Sequence, residues 1–254
     1  MRRLVHLSCF CLILAGLVGA AEDDLAALRA KAEAGDVQSQ FQLGIRFTQG
    51  YDVPKDIFEA VKWFTMAAEN GHFWAQKRLG EIYRKGQGGL SVDGEKAVKW
   101  YRLAAERGDE DAQYELGSMY DQADCVPKDA FEAVKWFRMA AEKGKVDAQW
   151  MLGLTYAFGT SVPKDGAEAV KWLRRAAENR HVGAQSVLGK IYAEGNGVPK
   201  DFVQAHIWLN IAGAQGDDFA KNLMARVEQQ MTSEQKAEAM KMARELFEKI
   251  GAKK

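Results

Sequence analysis

The residues of this chain whose types could do chemistry are few: His72, His181 and His206, Cys125, and the stretch Ser161-Val-Pro-Lys164. The last matches Ser-x-x-Lys, in which a lysine one helical turn further on activates a serine for acyl transfer. Here Pro163 stands between the two residues and opposes that turn. The accompanying Ser-Asp-Asn and Lys-Thr-Gly occur nowhere in the chain. His72 and His181 occupy the same turn in two copies of a repeat, so their reading is structural, and His206 replaces a valine at a core edge. No His-Glu-x-x-His, paired cysteine or acidic loop offers a metal site, and no phosphate loop is present. The expectation is therefore no catalytic residue, no metal and no cofactor. Cys125 lies in a loop and reads as an inert small residue rather than a reactive thiol.

The whole chain of 254 residues is 47% hydrophobic with 35 basic and 35 acidic residues, enough apolar material for a sizeable core. A zero net charge without a basic block disfavours nucleic acid as a partner, and three cysteines disfavour a disulfide scaffold. At the start, Arg2 and Arg3 precede an apolar run from Leu4 to Leu17, followed by Val18-Gly19-Ala20-Ala21 and the acidic Glu22, Asp23 and Asp24. This is the pattern of a signal peptide over residues 1–21, with cleavage after Ala20 or Ala21. The run falls short of the ~20 apolar residues that span a bilayer comfortably, so no stable membrane insertion is expected after cleavage. Cys9 and Cys11 would leave with the signal, and the lone Cys125 has no partner for an intramolecular disulfide. The mature protein is expected to be exported, periplasmic or secreted.

The elements that must position everything else repeat. Leu-Gly recurs at 43-44, 79-80, 116-117, 152-153 and 188-189, and Trp63, Trp100, Trp136, Trp172 and Trp208 recur in the same frame, with steps of 36 or 37 residues. Each copy reads as two helices. Val-Pro-Lys-Asp closes the loop before the second, and Asp56-x-x-Glu59, Asp129-x-x-Glu132, Asp165-x-x-Glu168 and Asp201-x-x-Gln204 have the form of capping boxes. Gly71, Gly108, Gly144 and Gly216 follow the second helix; Arg180 stands where a fifth glycine would, which predicts strain.

On a helical wheel the second helix groups Ala60, Phe64, Ala67 and Ala68 in one arc with Trp63 at its edge, and points Lys62 the other way. In the first helix Ala75, Leu79 and Tyr83, with their counterparts, share the core side. A helical glycine costs ~1 kcal/mol against alanine, so its return in every copy implies close helix contact. One copy alone cannot bury both faces, so the copies must stack.

Leu-Gly-x-x-Tyr is part of the tetratricopeptide pattern, but the 36-residue period, Gly195-x-Gly-Val-Pro-Lys-Asp201 and Ala-Val-Lys-Trp-x-x-x-Ala-Ala resemble Sel1-like repeats. The resemblance implies an all-α fold, a right-handed α-solenoid of five helix-turn-helix repeats, used mainly to hold proteins together or to bind peptides. The corresponding organisation is a capping helix over 22–34, five repeats over 35–216 and C-terminal capping helices over 217–254. Three copies depart from the pattern: Gly88 to Gly94 replaces the Pro-Lys-Asp loop, Gln122-Ala-Asp-Cys125 replaces glycines, and His206-Ile207 replaces Val-Lys. In the final helix, Ala239, Met240, Ala243, Leu246, Phe247 and Ile250 form a stripe that should close the last apolar face, with the Lys253-Lys254 tail in water.

Comparing the copies shows which positions the fold leaves free. Phe41, Lys77, Tyr114, Trp150 and Ser186 share one first-helix position, and Ile45, Glu81, Ser118, Leu154 and Lys190 share the position four residues on. Both lie opposite the core side. In helix-pair solenoids the first helices line the concave face, so these ten residues are the candidate wall for a protein or peptide partner. The reading set against it has Phe41 and Trp150 covered by a neighbouring repeat. The resulting expectation is a non-catalytic interaction scaffold of the cell envelope or outside the cell. Its alternatives are an envelope hydrolase acting on β-lactams or cell wall, by analogy with a cysteine-rich branch of the same family, and a structural, self-assembling repeat protein.

Overall fold

A computed structural model describes residues 24–160 and 162–252. The expected signal segment, Ser161 and the Lys253-Lys254 tail lie outside the described residues. The chain divides at residue 107 into two compact units. In the first, α1 (24–33), α2 (Val37–Gln49), α3 (Ile57–Glu69), α4 (Phe73–Lys85) and α5 (Gly94–Glu106) pack consecutively, with a short 3-10 turn over Gln87–Gly89. The second holds α6 (Glu110–Gln122), α7 (Ala130–Glu142), α8 (Val146–Phe158), α9 (Gly166–Glu178), α10 (Val182–Glu194), α11 (Phe202–Ala214), α12 (Asp218–Glu228) and α13 (Ser233–Ala252). All regular structure among the described residues is helical, and α2 to α11 are 13 residues each.

Each repeat is a first helix crossed closely by a second. A Cβ at Gly44 would lie 2.4 Å from Phe64, and one at Gly117 would lie 2.6 Å from Phe137. Nothing larger than glycine leaves room for those rings. Trp63, Trp100, Trp136, Trp172 and Trp208 are all buried. Beside four of them, exposed Lys62, Lys99, Lys135 and Lys171 bring their ammonium groups to 5.6, 4.9, 5.1 and 5.0 Å from the indole centroids. The stem thus turns back over the ring while the charge stays in water.

The second helices start on aspartate, but not as capping boxes. Asp56 and Asp129 each accept two amides of the first turn, while Asp93, Asp165 and Asp201 each accept one. Their own N–H groups donate to the carbonyls of Phe47, Tyr83, Tyr120, Tyr156 and Tyr192 at 2.9–3.1 Å. The capping amide is therefore already satisfied, and the glutamate is released for other work. Glu132 and Glu168 instead accept the indole N–H of Trp136 and Trp172 at 2.8 and 2.9 Å and pair with Lys135 and Lys171 at 2.7 Å. A reciprocal box does form at Thr232-x-x-Gln235, which opens α13.

A second device joins successive copies. Gln40, Gln76, Gln149 and Gln185 are buried, and each donates its amide to a carbonyl near the end of the preceding second helix, Ala32, Ala68, Ala141 and Ala177, at 3.0–3.1 Å. The recurrence of glutamine as the fourth residue of α2, α4, α6, α8 and α10 was the visible signal for it.

The irregular copies carry the backbone strain their sequences imply. Ala123, Cys125 and Arg180 take left-handed φ values of 56°, 54° and 68°, a region that disfavours any residue with a Cβ. At the other end, α13 packs on α11 and buries Ala239, Ala243 and Ile250, but Met240 and Phe247 of the expected stripe remain 50% and 43% exposed. The stripe is wider than the face α11 offers, so two of its six residues stay in solvent. Among the described residues no helix is long and apolar enough to cross a membrane.

Candidate interaction surface

The ten wall residues divide between the units. In the first, Phe41 is half-buried, with its ring stacked on His72 at 4.2 Å and tilted against Phe64 at 5.8 Å. Ile45 is half-buried against the core of this unit. Lys77 sets its ammonium 4.6 Å from the ring centroid of Trp74. Glu81 takes hydrogen bonds from Arg78 and Lys85 at 3.1 and 2.8 Å. Burial pushes its carboxyl up, but those two cations outweigh burial and hold it below the ordinary carboxylate range.

In the second unit Tyr114 packs on Phe137 at 5.7 Å with the Lys145 ammonium 5.8 Å from its ring. Trp150 is half-buried and stacks on His181 at 4.7 Å. Leu154 and Lys190 are half-buried. Ser118 and Ser186 are buried, against the expectation of an open wall. Ser118 accepts from Gln122 at 3.1 Å, and the Ser186 hydroxyl lies 2.5 Å from the Asp217 carboxylate. Asp217 is held below its usual range first by that hydroxyl. Neither serine is offered to a partner.

These contacts share one geometry. Phe41 meets His72, Tyr114 meets Lys145, Trp150 meets His181 and Ser186 meets Asp217. In each pair a first-helix residue touches the N-cap of the next first helix, 31 residues on. Variation at the first position is thus matched at the second: ring with imidazole, ring with ammonium, hydroxyl with carboxylate. The free-looking position is an inter-repeat contact whose outer edge remains in solvent.

Sequence reasoning passed over the most exposed part of this surface. Phe73 and Trp74, the first two residues of α4, are 40% and 49% exposed and stand 4.7 Å apart. With Phe41 and His72 they form a run of four rings along one edge of the first unit. The signal was present: Trp74 falls outside the frame of the five repeating core tryptophans.

His72 and His181 are helix N-caps. Nδ1 of each accepts a backbone amide, Ala75 at 3.3 Å and Ala184 at 3.0 Å, which places the neutral ring's proton on Nε2. For His72 that proton points to Gln38 Oε1 at 3.2 Å. Burial lowers the pKa of both rings; Asp147 opposes the effect at His181. His206 is fully buried with Nε2 2.9 Å from Glu228. Among the described residues no cluster of three or more His, Cys, Asp or Glu could hold a metal.

The Sel1 repeat model matches residues 37–72, 75–109, 110–145, 146–181 and 182–217. A protective antigen of uropathogenic Escherichia coli displaying an SLR fold is 35% identical, with a TM-score of 0.68 over 89% of this chain and 48% of that one. The chain thus spans about half the length of the antigen it matches. A Sel1 repeat protein from Oxalobacter formigenes is 31% identical, with a TM-score of 0.61 over 82% of this chain and 85% of that one. No curated protein matches. Five matched segments that span the helix pairs described above, and two solved structures with the same arrangement, establish that this chain belongs to the Sel1 repeat family.

Proposed function

We propose that this protein is a non-catalytic scaffold, exported to the cell envelope or beyond, that docks a partner protein or peptide on its first-helix face. Sel1 repeats generally bind proteins. The observation that carries the reading here is the exposed pair Phe73 and Trp74, continuous with the stack of Phe41 on His72. Large aromatic rings left in water beside polar side chains are frequent anchors of an interface. Eight of the ten wall residues contribute through their exposed edges, with Phe41, Ile45, Lys77 and Glu81 nearest this anchor in their unit and Tyr114, Trp150, Leu154 and Lys190 presenting the same face in theirs; Ser118 and Ser186 are buried and do not.

The test places photoreactive benzoylphenylalanine at Phe73 in the full chain expressed in its own cells. A defined cross-linked protein is expected, lost in Trp74→Ala while the helical melt stays within a few degrees. Cross-links unchanged by Trp74→Ala, or none at all, would remove the docking reading. Export is tested separately by sequencing the mature N-terminus, expected at Ala21 or Glu22; an intact Met1 would overturn it.

A further inference from the structure

We propose that His72 and His181 are latches that unfasten the first turns of α4 and α10 on protonation, so that mild acid reshapes the proposed docking surface. The proposal rests on that docking reading for its biological meaning, but not for its chemistry.

The geometry is the same at both sites. In the neutral ring Nδ1 is an acceptor, and it takes up the amide of Ala75 or Ala184, one of the donors a helix start leaves without an intrahelical partner. Protonation places a hydrogen on that same nitrogen. The acceptor becomes a donor pointed at a donor, and a full positive charge arrives at the positive end of the helix dipole. Both changes act against the first turn. The stacked rings do not resist in the same way, because a cationic imidazole still finds the face of Phe41 or Trp150 favourable. What opens is therefore the helix start, not the stack.

The groups facing each ring leave it free to act this way. His72 meets the neutral amide of Gln38 and the ring of Phe41 from α2. His181 meets Trp150 and the charged Asp147 from α8. The other first helices lack the device: α2, α6 and α12 are capped by Asp36, Asp109 and Asp217, and Lys145 starts α8 without a side-chain cap. The consequence for the surface is direct at α4, whose first two residues are Phe73 and Trp74. Loosening that turn moves the two rings proposed to hold the partner.

The test follows amide exchange and fluorine resonances on the free full chain between pH 7.5 and 5. Exchange at Ala75 and Ala184, corrected for intrinsic rates, is expected to quicken about tenfold with a midpoint below that of a free histidine. Ala112 and Ala220, capped by aspartate, serve as internal references and are expected to stay flat. In 5-fluorotryptophan-labelled chain the Trp74 resonance, identified by its loss in Trp74→Phe, should shift with the same midpoint. His72→Asn and His181→Asn retain a neutral cap and should each abolish the response at their own turn. Equal responses at all four alanines, or none, would overturn the latch. Because no partner is present, failure here leaves the Phe73 cross-link as it stands, and an absent cross-link leaves the titrations as they stand.

Discussion

The indole of Trp150 lies 4.7 Å from the imidazole of His181, with their planes 25° apart, and joins a first helix to the cap of the next. Such a ring is both a support and a surface. Its truncation should therefore cost less than that of a core ring. Trp150→Ala is expected to lower stability by about 2 kcal/mol in urea denaturation, between the ~0.5–1.5 kcal/mol of an aromatic pair and the ~3–5 kcal/mol of a fully buried aromatic. Trp172→Ala, which removes a buried ring, should reach the upper figure. Equal losses in the two variants would show that Trp150 is simply core.

The caps also predict how stability varies with pH. Burial holds both His72 and His181 below the ordinary histidine value of about 6.5, so between pH 5 and 7 the unfolded chain binds more protons than the folded one. Stability then rises with pH across this window. The contribution is fully present above the unfolded value and is lost as pH falls through the folded values. Urea midpoints should thus be lower at pH 5 than at pH 7. The His72→Asn/His181→Asn double variant should flatten that difference; an undiminished slope would assign it to other groups.

Arg180 holds the turn before His181 at a φ of 68°, where the other second helices are followed by glycine. Arg180→Gly is expected to stabilise by about 1 kcal/mol, the left-handed penalty less the extra entropy of glycine in the unfolded chain. In a chain of this size that raises Tm by roughly 2–4 °C. A calorimetric scan showing a lower Tm would mean that the arginine side chain makes a compensating contact.

Gly153 tests the close crossing of first and second helices. A Cβ there would lie 2.5 Å from Leu173 Cγ. Gly153→Ala gains up to ~1 kcal/mol in helix propensity but overpacks the crossing by ~1–3 kcal/mol. The net expectation is destabilisation, shrinking in a Leu173→Ala background. Additive losses in that double-mutant cycle would place the strain elsewhere.

Much of this molecule was legible from residue types and spacing alone. The recurrence of Leu-Gly and Trp determined the helix pairs, the five copies and the close approach at Gly44 and Gly117, because a helical period of 3.6 and a repeat period of 36 are local properties that survive without knowledge of neighbours. The strained positions Ala123 and Arg180 were equally visible as missing glycines.

Tertiary structure alone decided where the hydrogen bonds and exposures went. Glu132 looks like the second half of a capping box until the returning chain brings the Tyr120 carbonyl to the Asp129 amide and frees the carboxylate for Trp136. Ser186 looks like an open wall residue until Asp217 closes over it. Met240 and Phe247 look like core until α11 proves too narrow to cover them. In each case the deciding group lies outside the local helix pattern, and a pattern within one helix carries no information about what another segment supplies to its face.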